Sequence, residues 1–154
     1  MKKWLFRKDL SFFLTISWMF VIFYLSHQPA ERSSELSGTF LKFMLTIIAV
    51  VPFSLELDII HFLIRKSAHF IAYFMLGILL FHTVRLFYET NFIPMNVAFV
   101  LSILYAISDE YHQTFIPGRS GEVRDVILDA SGSLTGIVLY ALIIYLIIKR
   151  RQIN

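Results

Sequence analysis

The sequence predicts an all-α fold: a polytopic membrane helix bundle with four transmembrane helices plus a short interfacial or re-entrant helix. Of the 154 residues, 57% are hydrophobic and only 16% are charged, whereas soluble domains carry about 25% charged residues. The long segments are apolar on every face, while a membrane β-barrel would need short alternating strands. The length corresponds to one domain, residues 1–154.

The first predicted span covers residues 10–26. The segment "MKKWLFRKDLSFFLTISWMFVIFYLS" has the basic start and apolar core of a secretory signal. No small-x-small cleavage site follows in "HQPAERS", so we expect an uncleaved span. The next apolar segment, residues 39–53, is short and contains Lys42 and Pro52, which is more typical of an interfacial or re-entrant helix than of a full crossing. A tilted crossing is the alternative.

Hydropathy predicts three further spans, at residues 67–87, 92–107 and 126–148. Between the last two spans, the Pro/Gly-rich segment "IPGRSG" predicts a turn. This turn presents Arg119, whose guanidinium can bind a phosphate or carboxylate with two parallel hydrogen bonds. In the last span, Gly132 and Gly136 form a G-x-x-x-G pair, which allows a neighbouring helix to approach closely.

The distribution of basic residues predicts that both termini face the cytoplasm, because cytoplasmic loops are enriched in Lys and Arg. The side that includes both termini carries eight such residues: Lys2, Lys3, Arg7, Lys8, Arg85, Lys149, Arg150 and Arg151. The other side carries six: Arg32, Lys42, Arg65, Lys66, Arg119 and Arg124. With this topology, the polar ends of the second, third and fourth spans all lie at the outer face.

Residues three, four and seven positions apart share one face of a helix. In each of the second, third and fourth spans, the polar residues therefore form one stripe along the helix. A polar stripe must avoid lipid, so the three stripes are expected to face one another. They are Lys66–His69–Tyr73, Tyr105–Ser108–Asp109–His112 and Asp125–Asp129–Gly132–Gly136.

The stripes can be explained as structural pairs or as a functional site. Asp125 could neutralise Lys66 or Arg124, and Asp109 could pair with Arg65. An ionised Asp129, one turn deeper than Asp125, would cost on the order of a few kcal/mol unless it were paired or hydrated. Because intramembrane ionisable groups usually mark function, we favour a functional cluster.

Familiar catalytic signatures are missing from the sequence, which has no G-x-S-x-G elbow, no H-E-x-x-H motif and no phosphate-binding glycine-rich loop. The absence of cysteine excludes thiolate chemistry. Asp109 with His112, and Asp125 with Asp129, have spacings that could ligate a divalent metal together with His69. Such spacings recur by chance, so the cofactor is left open.

Three segments, "SHQP" (residues 26–29), "RKSAHFIAYFMLG" (65–77) and "SDEYHQTFIPGRSGEVRDVILDASGSLTG" (108–136), resemble the VanZ-like family, named after the teicoplanin-resistance protein VanZ. The resemblance implies a bacterial cell-envelope membrane protein, linked in the namesake to lower susceptibility to a lipoglycopeptide antibiotic, but it supplies no settled reaction. The family pattern picks out Lys66, His69, Tyr73, Asp109, Glu110, Gln113, Arg119, Asp125, Asp129 and Gly132.

The main functional hypothesis is a site at the outer leaflet for an anionic lipid or lipid-linked envelope precursor; no nucleic acid is expected as a partner, and the oligomeric state is left open. In this hypothesis the acid–base or metal-assisted chemistry is supplied by His69, Asp109, Glu110, Asp125 and Asp129. The substrate is bound by Lys66, Tyr73, His112, Gln113, Arg119 and Arg124. The alternatives are non-enzymatic binding or translocation of a lipid or ion, and a structural scaffold.

Overall fold

The computed structural model describes residues 2–29, 31, 32, 35, 38, 39 and 57–153. These residues form four long helices: α1 (Lys2–Ser26), α2 (Leu57–Arg85), α3 (Phe92–Gln113) and α4 (Val123–Ile153). Each contains a segment long and apolar enough to cross a membrane, and the described part of the chain contains no strand. The predicted all-α membrane bundle with four spanning helices is thereby confirmed. The predicted interfacial helix at residues 39–53 lies, apart from Thr39, outside the described residues.

Several helices extend beyond the spans that hydropathy predicts. Helix α3 continues past residue 107 to Gln113, and α2 begins at Leu57 rather than near residue 67. Hydropathy measures the cost of transfer to lipid, and the last turns of α3 are too polar to count as apolar. Asp109, Glu110 and Gln113 are nevertheless buried against the other helices, so these turns stay helical inside the protein.

Close backbone contact joins α2 and α4. A Cβ atom added at Gly132 would lie 2.5 Å from the Phe70 carbonyl oxygen, and one added at Gly136 would lie 2.2 Å from the Phe74 carbonyl oxygen. The two contacts advance together along both chains, so α2 and α4 run parallel. The predicted role of the G-x-x-x-G pair in close helix approach is confirmed, because only glycine leaves room for the facing backbone.

Polar side chains fasten α1 to the helices around it. The Trp18 indole N–H donates to the Ala72 carbonyl of α2 at 2.9 Å, and the Tyr105 hydroxyl of α3 donates to the Met19 carbonyl at 2.6 Å. The Thr15 and Thr83 hydroxyls are 2.9 Å apart. Lipid cannot form hydrogen bonds with these polar groups, so the bonds between helices are favoured. They fix the position of α1 along the bundle, and with it the position of its C-terminal residue, Ser26.

The loop between α3 and α4 contains a tight turn at Pro117–Gly118. The Arg119 backbone N–H donates to the Ile116 carbonyl at 3.1 Å, and Gly118 has a φ of 75°. Proline at the second position followed by glycine with positive φ defines a type II turn. The predicted Pro/Gly turn is therefore present, and it returns the chain over the end of α3.

Candidate functional site

Four ionisable side chains from three helices meet inside one end of the bundle: His69 of α2, Asp109 and Glu110 of α3, and Asp129 of α4. We call these four residues the acidic cluster. Each offers one nitrogen or oxygen atom, and the four atoms lie within 4.8 Å of one another. Asp129 is fully buried, while Asp109 and Glu110 are 3% and 4% exposed. The cluster forms because α2 and α4 begin, and α3 ends, at the same end of the bundle.

Neutral donors hold the α3 carboxylates in place. The Ser26 hydroxyl at the end of α1 donates to Asp109 Oδ2 at 2.7 Å. Gln113 Nε2 donates to Glu110 Oε1 at 2.9 Å, and the Glu122 backbone N–H donates to Glu110 Oε2 at 3.0 Å. Both oxygens of Glu110 are thus bound, whereas Asp109 Oδ1 is buried without a hydrogen-bond partner.

Asp129 is the least satisfied member of the acidic cluster. It forms a longer ion pair with His69, whose Nδ1 lies 3.6 Å from Asp129 Oδ1. Neither carboxylate oxygen of Asp129 accepts a hydrogen bond, and the neighbouring Tyr73 hydroxyl is also buried without a partner. No Lys or Arg among the residues described forms an ion pair with the three carboxylates. Their negative charge therefore requires protons or a bound cation.

Arg119 lies beside the acidic cluster, in the turn between α3 and α4. Its Nη1 donates to Gln113 Oε1 at 3.0 Å, and its Nη2 donates to the Leu25 carbonyl at 3.3 Å. Partial burial lowers the pKa of Arg119 from its usual value, and the nearby positive charge of Arg65 lowers it further. An arginine side chain nevertheless keeps its proton in proteins, so the guanidinium supplies a fixed positive charge here.

The other predicted site residues lie around the acidic cluster rather than in it. Lys66 forms an ion pair with Asp125, one of the two structural pairings that the sequence suggested for this aspartate. His112 faces the end of α1, and its Nε2 lies 3.1 Å from Nδ1 of His27, the residue after this helix. Arg124 is exposed and makes no side-chain hydrogen bond or ion pair within the described part of the chain.

The candidate metal ligands that the structure brings together differ from those that the sequence spacing suggested. The sequence suggested the pairs Asp109–His112 and Asp125–Asp129, together with His69. One member of each pair joins the cluster, and Glu110 completes it. The interior face of α3 runs through Ala106, Asp109, Glu110 and Gln113, whereas His112 turns toward α1.

Sequence reasoning missed three groups at this end of the bundle: the Ser26 hydroxyl, the His27 imidazole and the Glu122 backbone N–H. Ser26 and His27 belong to the "SHQP" segment, which carried part of the family resemblance and could have identified them. The Glu122 N–H has no sequence signal, because any residue except proline supplies this donor.

A pocket of about 260 Å³ opens between α1 and α3. Asp109 is the member of the acidic cluster that contributes to its lining, so the pocket lies next to the cluster. Most of the remaining wall is aromatic, and several of these rings are largely exposed. The lining residues are Phe23, Tyr105, Ser108, Asp109, Tyr111, His112 and Phe115.

The four apolar helices and the buried polar site define a multi-pass membrane protein with ionisable groups inside one end of its helix bundle. The family model for VanZ/LLP1 matches residues 11–145, which is most of the chain. The protein belongs to the VanZ/LLP1 family, as the motif resemblance predicts. No curated protein and no solved structure matches the chain.

Proposed function

We propose that this VanZ/LLP1 protein is a bacterial cell-envelope protein that binds or acts on the phosphate-bearing headgroup of an anionic lipid or lipid-linked envelope precursor. The observation that carries the proposal is the juxtaposition of Arg119 with the buried acidic cluster. An arginine fork is suited to phosphate oxygens, and the adjacent imidazole and carboxylates are suited to proton transfer or to holding a cation.

Arg119 is positioned to bind the headgroup. Its two hydrogen bonds, to Gln113 and Leu25, orient the guanidinium while using only two of its five N–H groups. Neither acceptor is charged, so the positive charge is not neutralised by direct ion pairing. The Arg119 side chain is therefore already ordered before a phosphate binds. Binding would cost little further conformational entropy of this side chain.

The pocket between α1 and α3 is suited to the hydrophobic part of such a molecule. Its wall contains four aromatic rings and also Asp109, so an apolar chain in the pocket would place a polar headgroup close to the acidic cluster. An entirely water-soluble ligand would gain little from this lining. A lipid is therefore favoured over a free phosphate compound.

The direct test is incubation of purified protein with a panel of lipid monophosphates, lipid diphosphates and lipid-linked precursors, combined with native mass spectrometry. We expect wild-type protein to retain or convert one phosphate-bearing lipid, and Arg119→Gln to lose this property while staying folded. Turnover would identify an enzyme, and retention without turnover would identify a binding or translocating protein. Wild-type protein that neither retains nor changes any of these lipids would refute the proposal.

The proposal includes an effect on teicoplanin susceptibility, which the family's namesake suggests. Cells that express wild-type protein are expected to tolerate more teicoplanin than cells that express Arg119→Gln at the same level. If both kinds of cells tolerate teicoplanin equally, the proposed effect on susceptibility is wrong. The lipid experiment would still test lipid binding.

A further inference from the structure

The acidic cluster brings together more negative charge than its surroundings compensate. Asp109, Glu110 and Asp129 are buried, and their direct partners are neutral donors and one imidazole. Lys66 lies nearby but pairs with Asp125, and Arg119 donates to Gln113 and Leu25 instead. Three carboxylates this close repel one another strongly where water is scarce.

The ligand atoms of the cluster have the spacing of a cation site. Oxygen and nitrogen atoms on opposite sides of a divalent ion are about 4.2–5.2 Å apart, given bond lengths of roughly 2.1–2.6 Å. The four candidate atoms all lie within 4.8 Å of one another, which falls inside that range. The four side chains project from three helices. Rotation of these side chains can therefore adjust each ligand–ion distance without moving the helices.

Two buried groups point independently to a ligand-binding role for the acidic cluster. Asp129 has 0% exposure, and neither of its carboxylate oxygens has a hydrogen-bond partner. Tyr73, one helical turn after His69, also has 0% exposure and an unpartnered hydroxyl, which interacts electrostatically with Asp109 and Asp129. Buried polar atoms are rarely left without partners, so several at one place indicate that something binds there.

We propose that the acidic cluster binds one divalent cation through His69, Asp109, Glu110 and Asp129. Asp129 supplies the two oxygens that lack partners, Asp109 supplies Oδ1, and Glu110 and His69 complete the set. The side chain of His69 is 16% exposed, so it marks the side from which the ion enters. Three carboxylates and one imidazole favour Mn²⁺ or Mg²⁺ over ions that prefer thiolate ligands.

This inference deepens the proposed function but does not depend on it. A cation at the acidic cluster would explain how an anionic headgroup can approach three carboxylates, because the ion and Arg119 would bind phosphate oxygens from two sides. The cation can bind whether or not a lipid is present, so the two ideas can fail separately.

Manganese is the probe for the test, because free Mn²⁺ has an electron paramagnetic resonance signal that is lost on binding. Protein in detergent would be stripped with a chelator and titrated with Mn²⁺ alone. We expect one Mn²⁺ bound per chain and displacement by Mg²⁺. We also expect a ¹⁴N coupling to the bound ion, which identifies an imidazole ligand and disappears in His69→Gln.

Carboxylate variants with a matched control locate the ion. Asp129→Asn and Glu110→Gln should weaken Mn²⁺ binding by at least about tenfold, as expected when a ligand is lost. Glu122→Gln should bind as wild type, because the Glu122 side chain is exposed and only its backbone N–H contacts the cluster. Circular dichroism and gel filtration would confirm folding; if Asp129→Asn does not fold, Glu110→Gln and the nitrogen coupling decide.

The inference is overturned if stripped wild-type protein binds none of Mn²⁺, Mg²⁺, Ca²⁺ and Zn²⁺. It is also overturned if Mn²⁺ binds equally well to wild type, Glu110→Gln and His69→Gln. Measuring lipid retention with and without chelator distinguishes a failure of the cation site from a failure of the proposed lipid function. If the protein retains the lipid without any bound metal, the proposed lipid site stands. The negative charge of the carboxylates would then be neutralised by protons.

Discussion

Gln113 links the positive and negative parts of the site. Its amide nitrogen donates to Glu110 Oε1 at 2.9 Å, and its amide oxygen accepts from Arg119 Nη1 at 3.0 Å. An amide can donate to a carboxylate and accept from a guanidinium at the same time, which neither a carboxylate nor an apolar side chain can do. Glutamine at this position therefore orients Arg119 and Glu110 relative to each other.

The substitution Gln113→Leu tests this linkage. It leaves one buried Glu110 oxygen and one Arg119 N–H unpaired, so we expect a loss of about 1–3 kcal/mol in the free energy of unfolding. The measurement is denaturation by sodium dodecyl sulfate, with chelator present. Gln28→Leu is the control, because Gln28 is similarly buried but its amide donates only to the Tyr24 carbonyl of the preceding helix, α1. Equal losses for the two variants would contradict a linking role.

Arg119→Lys tests whether the guanidinium fork, rather than its charge, binds the headgroup. Lysine keeps the positive charge but cannot contact Gln113, Leu25 and a phosphate in the same planar arrangement. We expect retention of a phosphate-bearing lipid to weaken about tenfold, which corresponds to about 1.4 kcal/mol. Native mass spectrometry measures the retained lipid.

Arg32→Lys is the matched control for this experiment, because Arg32 is an exposed arginine that follows α1. It should retain the lipid as wild type does. If Arg119→Lys also retains the lipid fully, the positive charge alone is sufficient and the fork has no special role.

At the scale of helices, the parallel contact of α2 and α4 holds the acidic cluster together. Gly132 and Gly136 bring the α4 backbone against Phe70 and Phe74, and this contact places Asp129 next to His69. The Ser133 hydroxyl adds a hydrogen bond of 3.0 Å to the Tyr73 carbonyl. A change in the separation of these helices would therefore move ligands of the proposed cation site.

Gly136→Ala should destabilise the protein, although alanine is the better helix former by about 1 kcal/mol. The added Cβ would lie 2.2 Å from the Phe74 carbonyl oxygen, so one of the two backbones must shift. Overpacking of this kind typically costs about 1–3 kcal/mol. The measurement is again unfolding in sodium dodecyl sulfate.

Ser131→Ala on the same helix is the control for Gly136→Ala. Ser131 is exposed, and its hydroxyl contacts only the Leu128 carbonyl of its own helix, so the change should be nearly neutral. A Gly136→Ala protein as stable as wild type would show that α2 and α4 can separate at little cost, against the close contact described above.

The helices were predictable from sequence to different degrees, for physical reasons. Apolar length identifies all four spans, and the glycine pair identifies the tight α2–α4 contact, because both signals are local. The hydropathy span ends at residue 107, before the end of α3, since hydropathy treats Asp109, Glu110 and Gln113 as facing lipid or water. The Ser26–Asp109 bond joins residues 83 positions apart, and no local pattern contains such a pairing.

At the scale of the whole molecule, the polar groups are divided between the two ends of the bundle. Helix α1 ends, α2 begins, α3 ends and α4 begins near the acidic cluster, where Ser26 bonds to Asp109 and Lys66 to Asp125. The opposite end carries the basic residues of both termini and the short α2–α3 loop. With both termini in the cytoplasm, as the basic residues indicate, the acidic cluster would face the envelope side.

The absence of cysteine from the sequence makes this orientation directly testable, because single cysteines can be introduced into a thiol-free protein. Ser120→Cys lies in the exposed turn after α3, and Glu89→Cys lies in the exposed loop between α2 and α3. In intact spheroplasts, a membrane-impermeant maleimide should label Ser120→Cys, while Glu89→Cys should react only after permeabilisation.

A third variant, Glu31→Cys, relates α1 to the other helices. Glu31 is exposed and follows α1, whose last residue bonds to Asp109, so it should be labelled together with Ser120→Cys. Labelling of Glu89→Cys alone would reverse the orientation and place the acidic cluster on the cytoplasmic side. A lipid substrate would then have to come from the inner leaflet, and a precursor displayed only on the outer surface would be excluded.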